Sequence, residues 1–377
     1  MSVPKKILVT GAAGLVGAEV CARLVKAGHR VHALVHHTRA LIANNGRVIA
    51  SSDGGTAPDG GTAPDAGAGP VRLVTGDVTV GRLGIGPETW AELADGLDLI
   101  VHAAAITDFG RPREVYQAIN TTGTAHVLEL ARERSIPLVH VSTAYVCGER
   151  DGAILESQLD VGQRFGNPYE ESKLAAEQLV RKAAADGLPT AVIRPSVVVG
   201  AARTGVVRDF KNLYVVLKLL SQGRIRAIPG YFDACVDLVP VDHVVALIAA
   251  VVDDFARARD RTLHAVGASV RMRHISDVLA EYPSFRVPRY LAPATFDPAT
   301  LPTLERGYWD RVMSLYESYF RRRQHFDDST AAGLRAYRRL ADGPNHLRRV
   351  IDYAVKVGYL GAPLPGVADT LSRVSRR

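Results

Sequence analysis

The apolar residues of this 377-residue chain fall into two rhythms. Short unbroken runs lie at residues 7–10, 30–35, 71–74, 99–102, 138–142 and 190–194, most of them rich in Val, Ile and Leu. Runs of that length and composition predict strands covered on both faces. Between them apolar positions recur at helical spacing, as at Leu15, Val16, Val20 and Leu24. Strand and helix in alternation predict an α/β fold, a parallel sheet joined by crossover helices. Past residue 200 the pattern changes. Residues 209–221 read as helix, and residues 237–250 as a helical segment in which Val239-Pro240-Val241-Asp242 returns the chain to the sheet. The part after about Met272 reads as mostly helical, with an aromatic cluster at Tyr308, Trp309, Tyr316, Tyr319 and Phe320 expected in a core. One stretch fits neither rhythm. Residues 44–70 hold Asp53-Gly54-Gly55-Thr56-Ala57-Pro58, repeated over residues 59–64, and offer almost no large apolar side chain to offset ordering entropy, so a disordered insertion is predicted.

Two places on this frame carry chemistry. The first predicted strand runs into Gly11-Ala12-Ala13-Gly14-Leu15-Val16-Gly17, which opens a helical pattern. Glycines there let the backbone approach a pyrophosphate, whose charge sits over the exposed N–H groups and positive dipole end of the helix. Gly11, Ala13, Gly14, Leu15, Val16 and Gly17 are therefore expected to hold a dinucleotide, although the spacing is Gly-x-x-Gly-x-x-Gly and not Gly-x-Gly-x-x-Gly. The second place is Asn167-Pro168-Tyr169-Glu170-Glu171-Ser172-Lys173. Asn is a good N-cap, Pro suits the first helical turn, and strong helix formers follow. Tyr169 and Lys173, four positions apart, share a helix face. An ammonium beside a phenol favours the phenolate, so the pair is expected to make an acid/base usable at neutral pH.

Cofactor choice is expected after the second strand, where a carboxylate would bind a ribose 2′-hydroxyl and a cation would accept a 2′-phosphate. This chain has His36-His37-Thr38-Arg39 there and no carboxylate. NADP(H) is thus expected over NAD(H), with His36, His37 and Arg39 near the phosphate. Adjacent residues at the end of an extended strand point to opposite sides, so the two histidines are not expected to hold a metal.

The glycine and Tyr/Lys motifs, in this order and roughly 150 residues apart, resemble the extended short-chain dehydrogenase/reductase family over about residues 5–245. Further matching pieces are Gly76-Asp77-Val78, His102-Ala103-Ala104-Ala105, Asn120-Thr121-Thr122-Gly123-Thr124 and the run from Val141 to Gly148. Leu83-Gly84-Ile85-Gly86, Ser142-Thr143-Ala144-Tyr145-Val146, the run from Ile193 to Gly200 and Val239-Pro240-Val241-Asp242 are most similar to the thioester-reductase and fatty acyl-CoA reductase branch. The resemblance implies a Rossmann-type doubly wound parallel sheet over residues 1–200, to which residues 236–266 return. Residues 201–235 and 267–377 would form a smaller, mostly helical substrate-binding part.

By the same resemblance Asp77 and Val78 lie beside the adenine, and His102, Ala103 and Ala104 line the nicotinamide side. Pro195, Ser196 and Val198 also meet the cofactor, and Asn120 supports the active-site helix. Thr143 and Tyr169 would bind the substrate carbonyl oxygen, Tyr169 would donate the proton, and Lys173 would lower its pKa and hold the nicotinamide ribose; Ser142 is the alternative hydroxyl. The implied activity is NAD(P)H-dependent reduction of an acyl thioester or carbonyl by hydride transfer, the thioester being carried on coenzyme A or on a carrier protein's pantetheine arm. Two alternatives stand beside it. An NAD-dependent epimerase, dehydratase or dehydrogenase acting on a nucleotide sugar or hydroxysteroid-like alcohol is disfavoured by the missing carboxylate. A dinucleotide sensor without turnover is disfavoured by the presence of Thr143, Tyr169 and Lys173.

Composition narrows the partners. The net charge of +7 is uneven: residues 261–377 hold nineteen Lys or Arg against eleven Asp or Glu, and residues 1–260 balance near zero. Such an excess suits an acidic partner or a phosphorylated substrate, whereas no recognition module for nucleic acid accompanies it. Cys21, Cys147 and Cys235 lie far apart with no Cys-x-x-Cys spacing, so neither a disulfide framework nor a zinc site is expected. The basic start at Lys5-Lys6 precedes an apolar run too short for a signal, and no run reaches eighteen apolar residues, so a cytoplasmic protein without a transmembrane segment is expected. Oligomerisation is left open by these features.

Overall fold

The computed structural model describes residues 3–38, 40–49, 52–53, 71–334 and 342–361. Six strands occur within one residue of their expected bounds: β1 (Lys6–Thr10), β2 (Arg30–Val35), β3 (Val71–Thr75), β4 (Leu99–His102), β5 (Leu138–Val141) and β6 (Thr190–Pro195). A seventh, β7 (Arg261–Ala265), pairs with β6. The sheet runs β7-β6-β5-β4-β1-β2-β3, with a two-residue strand at Ser52–Asp53 beyond β3, and every pairing is parallel. From β1 the chain winds outward to β3, then crosses back to β4 on the other side of β1. That reversal opens a crevice at the carboxyl ends of β1 and β4.

Five helices position the site: α1 (Leu15–Lys26), α2 (Gly123–Glu133), α3 (Pro168–Ala185), α4 (Leu213–Ser221) and α5 (Val241–Asp253). Successive residues of β1 serve opposite layers, as a pleated strand requires. Ile7 and Val9 share a core with Val20 and Leu24 of α1 and with Val244 and Ile248 of α5. Leu8 faces the other way, into a core with Leu93, Ile100 and Leu128. A separate core joins Tyr214, Leu217 and Leu220 of α4 to Val236, Met272, Ile275, Trp309 and Leu347.

Several sequence expectations are corrected. Residues 44–49 are ordered: Leu41–Ile42 pairs antiparallel with Val48–Ile49. Asn44 is buried in the turn, donating through Nδ2 to the Val206 carbonyl at 2.7 Å and accepting from the Arg208 N–H at 2.8 Å. A polar turn thus gains its order from a distant loop, which composition cannot show. Residues 54–70, with nearly all of the tandem hexapeptide, lie outside the described residues. The helix expected from residue 209 begins only at Leu213, after Asn212 with φ 48°. The segment expected as helix from residue 237 begins as a strand, Cys235–Pro240, and turns helical at Val241. Beyond Met272 the helices Met272–Ala280, Thr303–Arg311 and Gly343–Lys356 are separated by short strands at Arg289–Leu291 and Gln324–Phe326. Prolines at 283, 288, 293, 298 and 302 account for the interruptions between the first two of these helices.

Four arginines of the C-terminal part form ion pairs within the molecule. Arg321 pairs with Glu317, Arg323 with Asp233 at 2.7 Å, Arg348 with Glu281 at 2.7 Å, and Arg322 with the buried Glu170 at 2.8 Å. Among the described residues no helix is long and apolar enough to cross a membrane.

Candidate active site

The turn between β1 and α1 is built by close backbone packing. Gly11 has φ 67°, and the Gly14 N–H donates to the Gly11 carbonyl at 2.9 Å. A Cβ on Gly17 would stand 2.1 Å from the Gly11 oxygen, and one on Gly11 would stand 2.6 Å from the Ala103 oxygen and the Ala104 nitrogen. Gly14 caps α1 without a side-chain hydrogen bond, and the first turn carries no acidic residue. A helix N-terminus left in this state, over a turn free of Cβ atoms, fits an anionic pyrophosphate. Ala13 is exposed, and its carbonyl accepts from Arg208 Nη2 at 3.0 Å.

At the ends of β2 and β3, His36 Nε2 lies 3.3 Å from an Asp77 carboxylate oxygen. The His36 and His37 rings are 3.6 Å apart. The rings meet at a tilt of 32°, close together and not on opposite sides as an extended strand would place them, because the backbone bends after Val35. Asp77 accepts 2.8 Å hydrogen bonds from the Thr79 N–H and hydroxyl, and the first of these chiefly holds its carboxyl below the usual range. Asp77, in the loop after β3, thus places a carboxylate beside His36. Val78 packs on Gly123 of α2 and accepts from His126 through its carbonyl at 2.8 Å. Arg39 lies outside the described residues. No group of three His, Cys, Asp or Glu placed to hold a metal ion occurs among the described residues.

The helix expected at residue 168 is present with its expected cap: Asn167 Oδ1 accepts from the Glu170 N–H at 3.0 Å and Pro168 occupies the first position. Tyr169 is partly enclosed, with the Thr143 hydroxyl near enough to favour its phenolate. Burial pushes its phenol up to about 12, opposed by that hydroxyl. Lys173 is almost wholly buried and donates from Nζ to the Val141 carbonyl at 2.9 Å. Burial pulls its ammonium down to about 8, opposed by Glu177. Lys173 is thus turned onto the carbonyl at the carboxyl end of β5, and burial outweighs the other influences on the phenol.

Beneath these residues lies a polar clamp. Asn120 sits in a π-helical turn, Gln117–Thr122. It accepts from the Ile106 N–H at 2.8 Å and donates to the Ser172 hydroxyl at 2.9 Å, tying the loop after β4 to α3. A π turn of this kind often marks a functional site. His102 does not reach the cavity: its ring nitrogens lie 2.7 Å from the Thr10 hydroxyl and 3.0 Å from the Thr124 hydroxyl. Burial pulls its pKa down to about 3, so the imidazole is neutral. Ala104 turns inward as well, donating its N–H to Thr10 Oγ1 at 3.3 Å. The Pro195 carbonyl accepts from Thr143 Oγ1 at 3.3 Å.

Ten of the residues singled out in the sequence line one cavity of about 320 Å³: Gly11, Gly14, Leu15, Val16, Gly17, Ala103, Thr143, Tyr169, Ser196 and Val198. Thr143 lines it, whereas Ser142 does not. Asn120, Lys173, His102 and Pro195 support it from behind, and His36, His37, Asp77 and Val78 lie apart at the ends of β2 and β3. The far wall was not legible in the sequence. Leu213, Leu217 and Leu220 of α4, with Val236, Met272 and Ile275, make it apolar. Phe109 stands 5.8 Å from the Tyr169 ring and 5.0 Å from the Tyr316 ring. The aromatic cluster expected in a core divides: Trp309 is buried against Phe296, while Tyr316, Tyr319 and Phe320 line the cavity.

Residues 9–248 match the male sterility protein family, a family of NAD-binding domains. Peramine synthetase A of Epichloe festucae (strain Fl1) is 34% identical over 211 residues, which are 53% of this chain and 7% of that protein. Fatty acyl-CoA reductase wat of Drosophila melanogaster is 28% identical over 222 residues, 51% of this chain and 43% of that protein. The chain spans less than half the length of either relative. Among solved structures, the terminal R domain from the myxalamid PKS-NRPS biosynthetic pathway superposes with a TM-score of 0.76 at 25% identity, covering 96% of this chain and 93% of that one. The match over β1 to α5, with this fold around the glycine turn and the Thr143–Tyr169 pair, establishes that the chain belongs to the male sterility protein family, in the thioester-reductase-like branch of the extended short-chain dehydrogenases/reductases.

Proposed function

We propose that the chain is an NAD(P)-dependent oxidoreductase that reduces an acyl thioester with an apolar acyl group. The observation that carries the reading is the cavity itself: Thr143 and Tyr169 face the glycine turn on one side and an apolar wall on the other. Residues 1–200 and 236–266 form the dinucleotide-binding part in this reading, and residues 201–235 and 267–377 the substrate-binding part. Gly11, Gly14, Leu15, Val16 and Gly17 would hold the pyrophosphate, Ala103, Ser196 and Val198 would border the nicotinamide, and Lys173 would reach its ribose only by leaving the Val141 carbonyl behind the cavity. His36, His37 and Arg39 favour a 2′-phosphate, hence NADPH. The nicotinamide supplies hydride to the thioester carbonyl carbon. Thr143 and Tyr169 aim two hydroxyl donors at the carbonyl oxygen, where negative charge builds. Prepositioned donors of this kind are worth about 3 kcal/mol each. Tyr169, neutral at working pH, delivers its proton to that oxygen, and the resulting hemithioacetal breaks its C–S bond to release aldehyde and free thiol. Asn120 holds the loop at Ile106 against α3, so the two hydroxyls keep their spacing.

The test is one assay with two readouts. Mixed with NADPH and a panel of acyl thioesters on coenzyme A or on a pantetheinylated carrier protein, the protein should oxidise NADPH and release thiol in equal amounts. Tyr169→Phe should lower turnover by about two orders of magnitude, the worth of a positioned general acid, and leave NADPH binding nearly unchanged. NADPH oxidation on free ketones without thiol release would replace the thioester reading with simple carbonyl reduction.

A further inference from the structure

A buried ion pair stands one residue from the proton donor. Glu170 follows Tyr169 in the first turn of α3, with its side chain fully enclosed, and Arg322 from the C-terminal part is 3% exposed. Arg322 grips Glu170 with both guanidinium nitrogens, at 2.8 and 3.1 Å. The Tyr319 hydroxyl donates to the same carboxylate at 2.7 Å, and the Gly166 N–H donates to it at 3.2 Å. The guanidinium lies 4.3 Å from the centre of the Tyr319 ring and 5.8 Å from that of Tyr145. Both rings line the cavity. A Cβ on Gly166 would meet Arg322 Nη2 at 2.4 Å, so the loop before α3 is pressed onto the same group.

This arrangement is poorly explained as stabilisation. Asn167 already caps α3, and a Glu at Glu170's position in a helix can complete a capping box while exposed to water. Desolvating both charges consumes most of what their attraction returns, so a buried pair adds little net stability. What it does provide is geometry. The planar fork fixes the carboxylate in two directions, and the guanidinium face holds two rings.

Resting on the reductase reading, we propose that Arg322 is a positioning residue: it fixes Tyr319 and Tyr145 against the first turn of α3, so that the substrate carbonyl is held at Tyr169 and Thr143. Arg322→Met alone would strand a buried carboxylate and destabilise the protein. The informative variant is Arg322→Met with Glu170→Gln, which removes both charges and keeps an acceptor for Tyr319 and Gly166. Its melting temperature and NADPH dissociation constant should stay near those of the wild type, while kcat on the acyl thioester falls by at least about tenfold, as expected for a misplaced reacting carbonyl. Recovery of kcat along with stability in the double variant would show a merely structural pair and overturn the proposal. Arg322→Lys keeps the charge but loses the fork. It carries the test if the double variant does not fold, with full kcat refuting the role and a loss of about tenfold or more at unchanged NADPH affinity supporting it. Wild-type protein that oxidises no NADPH with any thioester sinks the reductase reading first, before any substitution is made, and the role with it.

Discussion

Lys173 shows how burial changes the meaning of a residue chosen for its spacing. Its ammonium is enclosed beside Val141, and its pKa falls from 10.5 to about 8. Below about pH 8 both folded and unfolded chains carry the proton, and the fold bears the whole cost of enclosing a charge. Between about pH 8 and 10.5 the unfolded chain binds more protons than the folded one, so this group adds stability as pH rises. Tyr169 has the opposite sign, since its folded pKa is raised to about 12; its contribution is lost only as pH climbs from about 10 through that value. In urea unfolding at pH 7.5 and 9.5, wild type should therefore gain stability relative to Lys173→Met at the higher pH. A gap that does not change with pH would mean the ammonium is solvated. Periodicity placed Tyr169 and Lys173 on one helix face, but only the neighbouring strand decides that Lys173 turns to a backbone carbonyl.

At the scale of elements, the β1 turn and α1 form a unit with no room between them. The atom that a Cβ at Gly17 would strike is a carbonyl oxygen at 2.1 Å, which cannot swing aside as a side chain could. Gly17→Ala must lift the first turn of α1 off Gly11, at a cost of about 1–3 kcal/mol typical of overpacking. Thermal unfolding should show that loss, and a fluorescence titration should show NADPH binding weakened at least about tenfold, one factor of ten per 1.4 kcal/mol. Unchanged NADPH affinity would remove the turn from the cofactor site. The six strands were legible because burial on both faces leaves a mostly apolar run. β7 was not. Its sequence, Arg261-Thr262-Leu263-His264-Ala265, lies at the sheet edge, and His264 is enclosed by Arg194, Glu156, Phe326 and the Asp327 carbonyl from other parts of the chain.

At the scale of the molecule, the cavity lies where the sheet's crevice meets the separate core around α4. Leu217 belongs to that core and also lines the cavity. Leu217→Trp should fill the apolar end, lowering kcat/KM for a twelve-carbon acyl thioester by at least about tenfold while sparing a four-carbon one, since each methylene in such a pocket is worth about 1–3 kcal/mol. Equal effects on both chain lengths would place the tail elsewhere. The charge of the C-terminal part also changes meaning at this scale: an excess that suits an acidic partner in sequence becomes, at Arg321, Arg322, Arg323 and Arg348, a set of internal ion pairs.

By itself the sequence determined the strand–helix alternation, the glycine turn, and the capped helix carrying Tyr169 and Lys173. Each is written in a few consecutive residues, through periodicity, caps or backbone freedom, so local physics suffices to specify it. Tertiary structure alone decided the rest: the Asp77 carboxylate beside His36, the retreat of His102 behind Thr10, the division of the aromatic cluster, and the meeting of Glu170 with Arg322 across 152 positions. Those depend on which surfaces the fold closes against one another. Burial then assigns the same residue type to core, cavity wall or ion pair, a choice that hydrophobicity and spacing leave undetermined.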